Sequence, residues 1–315
     1  MAQAIAHPNL ALIKYWGKTN FKHNLPSTPS LSITLNNLTT TTSVQIQTEL
    51  SKDQIFLNDN LIENHKIISF MNQIRKLSKK NVFTVIKTKN NFPTAAGYAS
   101  SASGFAALSL ACNQEFQLGL SPKELACLAR DGSGSATRSL SSGLVAWKPG
   151  NCENSFGYQI LPAHDVPLAV FSFKNTDNAK AVSSTKAMEQ VRKSSPYYDA
   201  WIKSTTSDFN KSLKFIKNHQ WVDLLKLAEI NAFKMHATML SSQPPIIYWE
   251  PQTISLIKRI QKTRQEKNLI AYISIDAGAN IKLLTLQSQV PKIINTFQDL
   301  SYTISLPGEG AKLID

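Results

Sequence analysis

Four stretches of this chain hold residues suited to handling phosphate. Residues 91–108 read Asn-Phe-Pro-Thr-Ala-Ala-Gly-Tyr-Ala-Ser-Ser-Ala-Ser-Gly-Phe-Ala-Ala-Leu. Pro93 pushes Phe92 out of helical space, and Gly97 permits backbone angles that other residues avoid. Small residues and hydroxyls then give way to Phe105, Ala106, Ala107 and Leu108, an apolar helix body. A small-residue loop thus feeds a helix start, where free N–H groups attract anions. Ser100, Ser101 and Ser103 add hydroxyl donors without bulk. A polyphosphate needs that combination. A helix of small residues packed tightly on a sheet is the competing reading, and one glycine motif does not separate the two.

The second stretch is Lys14-Tyr15-Trp16-Gly17-Lys18-Thr19. Its end looks like the tail of a nucleotide-binding P-loop, but Leu12 stands where that motif requires glycine. Two lysines and a tyrosine remain where a strand runs out, either aimed at an anion or forming a solvated strand end beside a packed Trp. The third stretch runs from Arg130 to Ser139 through Gly132-Ser133-Gly134-Ser135-Ala136-Thr137-Arg138. Such a turn presents N–H and O–H donors, and Arg138 can grip a carboxylate or phosphate with two parallel hydrogen bonds. The fourth is Asp276, which follows the apolar run Ala271-Tyr272-Ile273-Ser274-Ile275 and precedes Ala277-Gly278. A carboxylate there is held rigidly at a sheet edge, as an acid for chemistry or as a simple turn cap.

The elements that position these groups follow from hydrophobic period and turn signals. Strand is expected over residues 3–16, over 30–47 as one long antiparallel element, and over 82–89. Asn58-Asp59-Asn60 marks a turn, and residues 65–77 fit a helix. Ser121-Pro122-Lys123-Glu124 is a capping box that opens a helix. Strands at 143–147 and 168–173 follow. From about residue 177 the pattern changes to helices at 181–191, 197–217, 221–240 and 252–267. Strand 269–275, strand 281–286, helix 290–297 and strand 302–306 close the order, which suggests a second α+β domain.

Composition sets bounds. A chain of 315 residues forms two domains or one large one. With 42% hydrophobic and 17% charged residues it is globular. No apolar run is long enough for a membrane span, and the start lacks a secretory pattern. Cys112, Cys127 and Cys152 form no Cys-x-x-Cys and suit a reducing cytosol. The net charge of +13 suits polyanions. Lys and Arg are scattered, so the stripe expected of a nucleic-acid binder is missing. The six histidines give no metal pattern, and His236 reads as a packed helix residue.

Seven motifs in order carry a family resemblance. They are Asn9-Leu-Ala-Leu-Ile-Lys-Tyr-Trp-Gly-Lys18, Asn91-Phe-Pro-Thr-Ala-Ala-Gly-Tyr-Ala-Ser-Ser101, Gly132-Ser-Gly-Ser-Ala-Thr-Arg138, Val182-Ser-Ser-Thr185, Met235-His-Ala-Thr238, Asp276-Ala-Gly278 and Pro307-Gly-Glu-Gly310. Together they closely resemble the diphosphomevalonate decarboxylase family of the GHMP kinase superfamily. The resemblance implies an α/β (α+β) fold of two lobes. The N-terminal lobe would be like one found in ribosomal proteins, and the C-terminal lobe ferredoxin-like. Residues 1–175 would form the ATP-binding domain and 176–315 the second, with the active site in the cleft between them.

The resemblance also implies a reaction. ATP phosphorylates the tertiary 3-hydroxyl of (R)-5-diphosphomevalonate, and the 3-phosphate then leaves with CO2, giving isopentenyl diphosphate. Thr94, Ala95, Ala96, Gly97, Tyr98, Ala99, Ser100, Ser101 and Ser103 would hold the ATP phosphates, with Mg2+ bridging them and Lys180 approaching. No protein ligand of the metal is assigned. Asp276 would orient or deprotonate the 3-hydroxyl, and Lys18 would stabilise the transferring or departing phosphate. Tyr15, Trp16, Gly17 and Lys18 would line the substrate pocket. Ser133, Gly134, Ser135, Ala136, Thr137 and Arg138 would bind the anionic ends, with Arg138 at the carboxylate. Ser184 and Thr185 would meet the diphosphate, and His65 or Lys66 would lie near a further substrate contact. Binding the carboxylate too strongly opposes the flow of its electrons, so Arg138 should orient it without deep burial of the pair.

The chain departs from the family's usual residues at Pro8, Tyr98, Asp131, Ala187, Ala279 and Leu306. Asp131 would put a negative charge near an anion site. A homodimer in the cytoplasm is expected, acting on small molecules rather than nucleic acid or membrane. The alternatives are a related 3-kinase or decarboxylase acting on 5-phosphomevalonate or mevalonate, and a basic binding module without catalysis.

Overall fold

The computed structural model describes residues 1–92, 100–173 and 182–314. The chain opens with β1 (Ala2–Ala6) and β2 (Asn9–Ile13), followed by a small hairpin of β3 (Lys18–Asn20) and β4 (Leu25–Pro26). Next come β5 (Ser30–Thr34), β6 (Thr40–Gln47), β7 (Gln54–Leu57) and β8 (Asn60–Ile62). Asn58 and Asp59 turn β7 into β8 with φ of 48° and 65°, the left-handed pair that a two-residue hairpin turn favours. Asn64 caps α1 (His65–Ser78) by accepting from the N–H groups of Lys66 and Ile67. β9 (Phe83–Asn90) precedes α2 (Ser100–Glu115), α3 (Pro122–Gly132) and the one-turn α4 (Ala136–Ser139). The Ser121–Glu124 capping box opens α3, as its sequence predicts.

Strands β10 (Leu144–Trp147), β11 (Gly157–Leu161) and β12 (Leu168–Phe173) follow. Beyond them lie α5 (Ser184–Ser194), α6 (Tyr198–Lys217), α7 (Trp221–Leu240), α8 (Pro251–Lys267), β13 (Tyr272–Ile275), β14 (Ile281–Leu286), α9 (Val290–Thr296), β15 (Tyr302–Ser305) and β16 (Lys312–Ile314). Among the described residues no helix is long and apolar enough to cross a membrane.

The first lobe has two sheets, ordered β16-β1-β6-β9-β7-β8 and β11-β10-β5-β2. Ala102, Ala106, Ala107 and Ala111 on α2 are fully buried, as are Ala4 and Ala6 on β1. Alanine on both surfaces lets the helix lie close to its sheet, so the small-residue packing reading holds for the body of α2. The second lobe is the sheet β13-β14-β12-β15 with helices on it.

The structure draws several boundaries differently from the sequence reading, and the stretch 3–16 is β1 and β2, in different sheets. The stretch 30–47 is two strands in different sheets. Between them Asn36 and Asn37 turn outward, where the Asn36 backbone and side chain and the Asn37 amide bond the backbone of residues 304–306. β12, placed before the expected divide at 175, belongs to the second lobe's sheet, and β16 returns to pair with β1.

The core does not stop at the divide. Leu10, Leu12, Leu31 and Ile33 from β2 and β5 pack in one cluster with Phe209, Leu224 and Leu225 from α6 and α7 and with Leu168 and Leu284 from the second sheet.

Candidate active site

A cleft of about 1060 Å³ lies between the lobes. Its chemistry is set just past the ends of β2 and β13, where the Lys14 side chain reaches Asp276. Lys14 follows β2 directly. Its N–H donates to Asn231 Oδ1 on α7 at 2.8 Å. Its ammonium donates to Ser274 Oγ at 2.7 Å and to Asp276 Oδ1 at 2.6 Å. Lys14 is 1% exposed, whereas the Asp276 side chain keeps 36% of its surface. Burial pushes the Lys14 ammonium down, Asp276 pulls it back up, and Arg138 opposes. Asp276 is fixed by a tight turn, in which Gly278 N–H donates to the Asp276 carbonyl at 2.7 Å. The lysine bonded to Asp276 is therefore Lys14, for which the sequence reading gave no separate role. The sequence singled out the motif that holds both, and nothing in its pattern distinguishes the one that turns inward.

Lys18 sits at the start of β3. Its ammonium donates to Asn24 Oδ1 at 2.6 Å and to Thr185 Oγ1, at the start of α5, at 3.4 Å. Burial first, and the nearby Lys66 second, push it down to about 8. Both Lys66 and Asn24 line the cleft. Two cations facing one space are an unfavourable arrangement that a bound polyanion relieves. Gly17 makes the bend before Lys18 with φ of 110°. It does not itself line the cleft, whereas Tyr15 and Trp16 do.

Arg138 comes from α4 and is 2% exposed, so its half of the expected pair with the carboxylate is deeply buried. Nε and Nη2 donate to Asn9 Oδ1 at 3.3 and 3.1 Å, and Nη1 donates to Ser30 Oγ at 2.7 Å. A guanidinium has five donors, so one N–H remains on each Nη. Arg138 lines the cleft, and donors of this kind suit a carboxylate there. Burial pushes Arg138 down to about 10, with Tyr15 and Asp276 opposing, so it stays charged at neutral pH. Asn9, which lines the cleft, escaped the sequence reading although it opens the first motif.

The turn before Arg138 divides by direction. Ser133, Gly134 and Ser135 line the cleft. Ala136 and Thr137 do not. Both are fully buried, and Thr137 Oγ1 accepts from Gly157 N–H at 2.7 Å. A Cβ on Gly134 would stand 2.6 Å from the Tyr15 hydroxyl, so glycine lets the turn approach that ring. On α2, Ser100 and Ser101 line the cleft, and Ser133 Oγ lies 3.3 Å from Ser101 Oγ. Ser103 is fully buried and shares a hydrogen bond with Thr40 at 2.7 Å, so its hydroxyl serves packing. Ser184 and Thr185 line the opposite wall. Thr94, Ala95, Ala96, Gly97, Tyr98, Ala99 and Lys180 lie outside the described residues.

Asp131 does not face the anion site as its sequence position suggested. Its carboxylate takes Arg130 Nη2 at 2.8 Å, with His23 Nδ1 and Gln73 Nε2 each at 3.2 Å. His236 is 2% exposed on α7, with its ring 4.8 Å from that of Trp249. Burial, then Lys14, push it down to about 4, so it is neutral at pH 7, as a packed histidine should be. Lys282 on β14, absent from the sequence reading, is buried and pushed down to about 8 by burial, with Asp276 opposing and Lys14 adding to the shift.

The cleft's donors fit a nucleotide with magnesium. Lys14, Lys18, Lys66 and Arg138 outweigh Asp276 and Glu250 along its walls. Among the described residues no group of three His, Cys, Asp or Glu side chains is placed to hold a metal. Magnesium is commonly held by substrate phosphates with few protein ligands, so no such cage is needed.

The chain is similar to known proteins along nearly its whole length. Residues 6–157 match the diphosphomevalonate decarboxylase-like N-terminal domain, and residues 173–306 match the mevalonate 5-diphosphate decarboxylase C-terminal domain. The diphosphomevalonate decarboxylase of Saccharomyces cerevisiae is 34% identical, over 93% of this chain and 79% of its own. The solved mevalonate diphosphate decarboxylase of Staphylococcus aureus has a TM-score of 0.94 at 33% identity, over 100% of this chain and 98% of its own. A complex of MDDEF with MVAPP, AMPPCP and magnesium has a TM-score of 0.94 at 34% identity, with the same coverage. With two domain matches running from residue 6 to residue 306 and relatives alike over nearly its whole length, the chain belongs to the diphosphomevalonate decarboxylase family.

Proposed function

We propose that this chain catalyses the ATP-dependent decarboxylation of (R)-5-diphosphomevalonate to isopentenyl diphosphate, releasing ADP, phosphate and CO2. The observation that carries the proposal is the Lys14–Asp276 pair in the wall of a cationic cleft that also holds Arg138.

Phosphoryl transfer is mostly positioning and charge stabilisation. Lys14 steers Oδ1 of Asp276, and the carboxylate orients the substrate's 3-hydroxyl and accepts its proton. A positioned general base contributes roughly 10²–10⁴-fold. Ser100 and Ser101 at the start of α2 would meet the ATP phosphates, as an anion-binding helix end does. Magnesium on those phosphates would neutralise charge that develops during transfer. Lys18, close to Thr185, meets the substrate's diphosphate rather than the reacting centre. The two remaining N–H groups of Arg138 hold the substrate carboxylate in line. Their support by neutral Asn9 and Ser30 keeps that grip one of orientation. As carboxylate electrons move to form the alkene, the 3-phosphate departs beside Lys14.

A homodimer at work in the cytoplasm belongs to the same reading. Family membership supports the dimer, and three cysteines with no disulfide between them suit a reducing compartment. The test supplies Mg-ATP and (R)-5-diphosphomevalonate and follows ADP and CO2 in one tube. Equal yields are expected, and Asp276→Asn should abolish both. ADP without CO2 would make the protein a 3-kinase and overturn the role of Arg138.

A further inference from the structure

The β3–β4 hairpin carries Lys18 at one end and Asn24 just before its second strand. Asn24 is held at φ 51°, and its side chain lines the cleft. Its Nδ2 donates to the carbonyls of Arg130 and Asp131, each at 2.9 Å. Those carbonyls belong to the last turn of α3, where a helix leaves acceptors without internal partners. An amide whose nitrogen serves two carbonyls has one orientation. Its oxygen points the other way, and there it accepts from the Lys18 ammonium at 2.6 Å. The other bond of that ammonium, to Thr185, is longer and weaker at 3.4 Å.

The far side of this spacer is itself anchored. Arg130 donates to the carbonyls of His23, Cys152 and Ser155 at 2.9, 3.0 and 2.6 Å, so the end of α3 cannot drift from the hairpin. The same helix end leads straight into the turn that carries Ser133 and Arg138.

We propose that Asn24 is a positioning residue that holds the Lys18 ammonium against the substrate's diphosphate, at a distance from the Ser133–Arg138 turn set by its own amide. The proposal rests on the reading of the site given above. One amide then ties together the groups that meet the two anionic ends of the substrate.

Isothermal titration calorimetry with inorganic diphosphate tests it, on wild type, Asn24→Gly, Lys18→Met and the double variant. Glycine adopts φ 51° freely, so Asn24→Gly keeps the hairpin and removes only the spacer. Binding should weaken roughly tenfold in Asn24→Gly, the loss expected for one charge-assisted hydrogen bond. The double variant should bind within about twofold of Lys18→Met alone, because the two side chains act as one unit. Asn24→Asp also tolerates the backbone angle, and its carboxylate would cancel the Lys18 charge and weaken binding further. In turnover assays Asn24→Gly should raise KM for the diphosphate substrate and leave KM for ATP unchanged. Wild-type affinity in Asn24→Gly, additive losses in the double variant, or a wild type that does not bind diphosphate would each overturn the proposal. Failure of the decarboxylase reading shows separately, as no ADP or CO2 from the wild type.

Discussion

Lys14 and Asp276 are 262 residues apart in sequence and 2.6 Å apart in space. One belongs to the first lobe and the other to the second. The pair is lopsided, since the ammonium is sealed inside and the carboxylate opens to the cleft. An ion pair of this shape steers an acid while leaving it within reach of substrate.

Lys14→Met should therefore separate stability from catalysis. The substitution removes a desolvated ammonium, and the carboxylate left behind keeps 36% of its surface open to solvent, so it is not stranded as a buried charge and folding should change little. Losing the group that steers Asp276 should lower kcat by roughly 10²–10⁴-fold, the range of a misplaced general base. Thermal unfolding together with steady-state kinetics on the one variant checks both halves.

The depressed Lys18 ammonium sets a pH dependence. As pH rises through about 8 the unliganded protein loses this charge and should bind the diphosphate substrate less well. Bound diphosphate holds the proton, so the alkaline limb should appear in kcat/KM and not in kcat. Lys66→Met removes a neighbouring cation and should move the limb upward. Folding stability runs the other way. The folded values of Lys18 and Lys282 lie below the ordinary 10.5, so the unfolded chain binds more protons between about pH 8 and 10.5, and the contribution of these two groups to stability improves across that window. A pH series of kcat/KM beside one of denaturant midpoints reads both.

Asn9→Ala should damage Arg138 from behind. Asn9 Oδ1 accepts from two guanidinium nitrogens, and its Nδ2 donates to Ser139 Oγ at 2.8 Å. Leaving buried donors without partners costs about 1–3 kcal/mol each. Urea denaturation should show a loss of that size, with a fall in kcat/KM for the substrate and an unaltered KM for ATP.

Gly17→Ala should be worse than a surface glycine substitution. The residue sits at φ 110°, and an added Cβ would lie 2.3 Å from the Tyr198 hydroxyl, itself bonded to Ser27 at 3.0 Å. Angle and contact together should destabilise the fold by roughly 1–3 kcal/mol and shift Lys18 beside it. Calorimetric melting and KM for the diphosphate substrate measure the two effects.

Much of this was legible in the sequence because local rules decided it. The Ser121 capping box, the Asn58-Asp59 turn and the periods of α6 to α8 all fall where their patterns place them. Motif order brought Asp276, Arg138, Tyr15 and the serine turn into one cleft. What stayed hidden depends on three-dimensional direction. Lys14 and Lys18 are four residues apart in one motif, and only the seating of β2 between β5 and α7 turns Lys14 inward. Asn24 and Asn9 read as ordinary turn and strand residues until their distant partners are placed. Ser103 and Thr137 share a composition with the cleft-lining hydroxyls, but helix geometry points them at the sheets.

The apolar cluster that joins β2 and β5 to α6, α7 and the second sheet bears on how the molecule comes apart. Two lobes with separate interiors melt in two steps, and one can persist without the other. Here neither lobe can lose its packing without exposing the other's, so heating should give one cooperative transition. Catalysis should vanish with it, because the acid and the lysine that steers it are held together by the same buried contacts that hold the lobes.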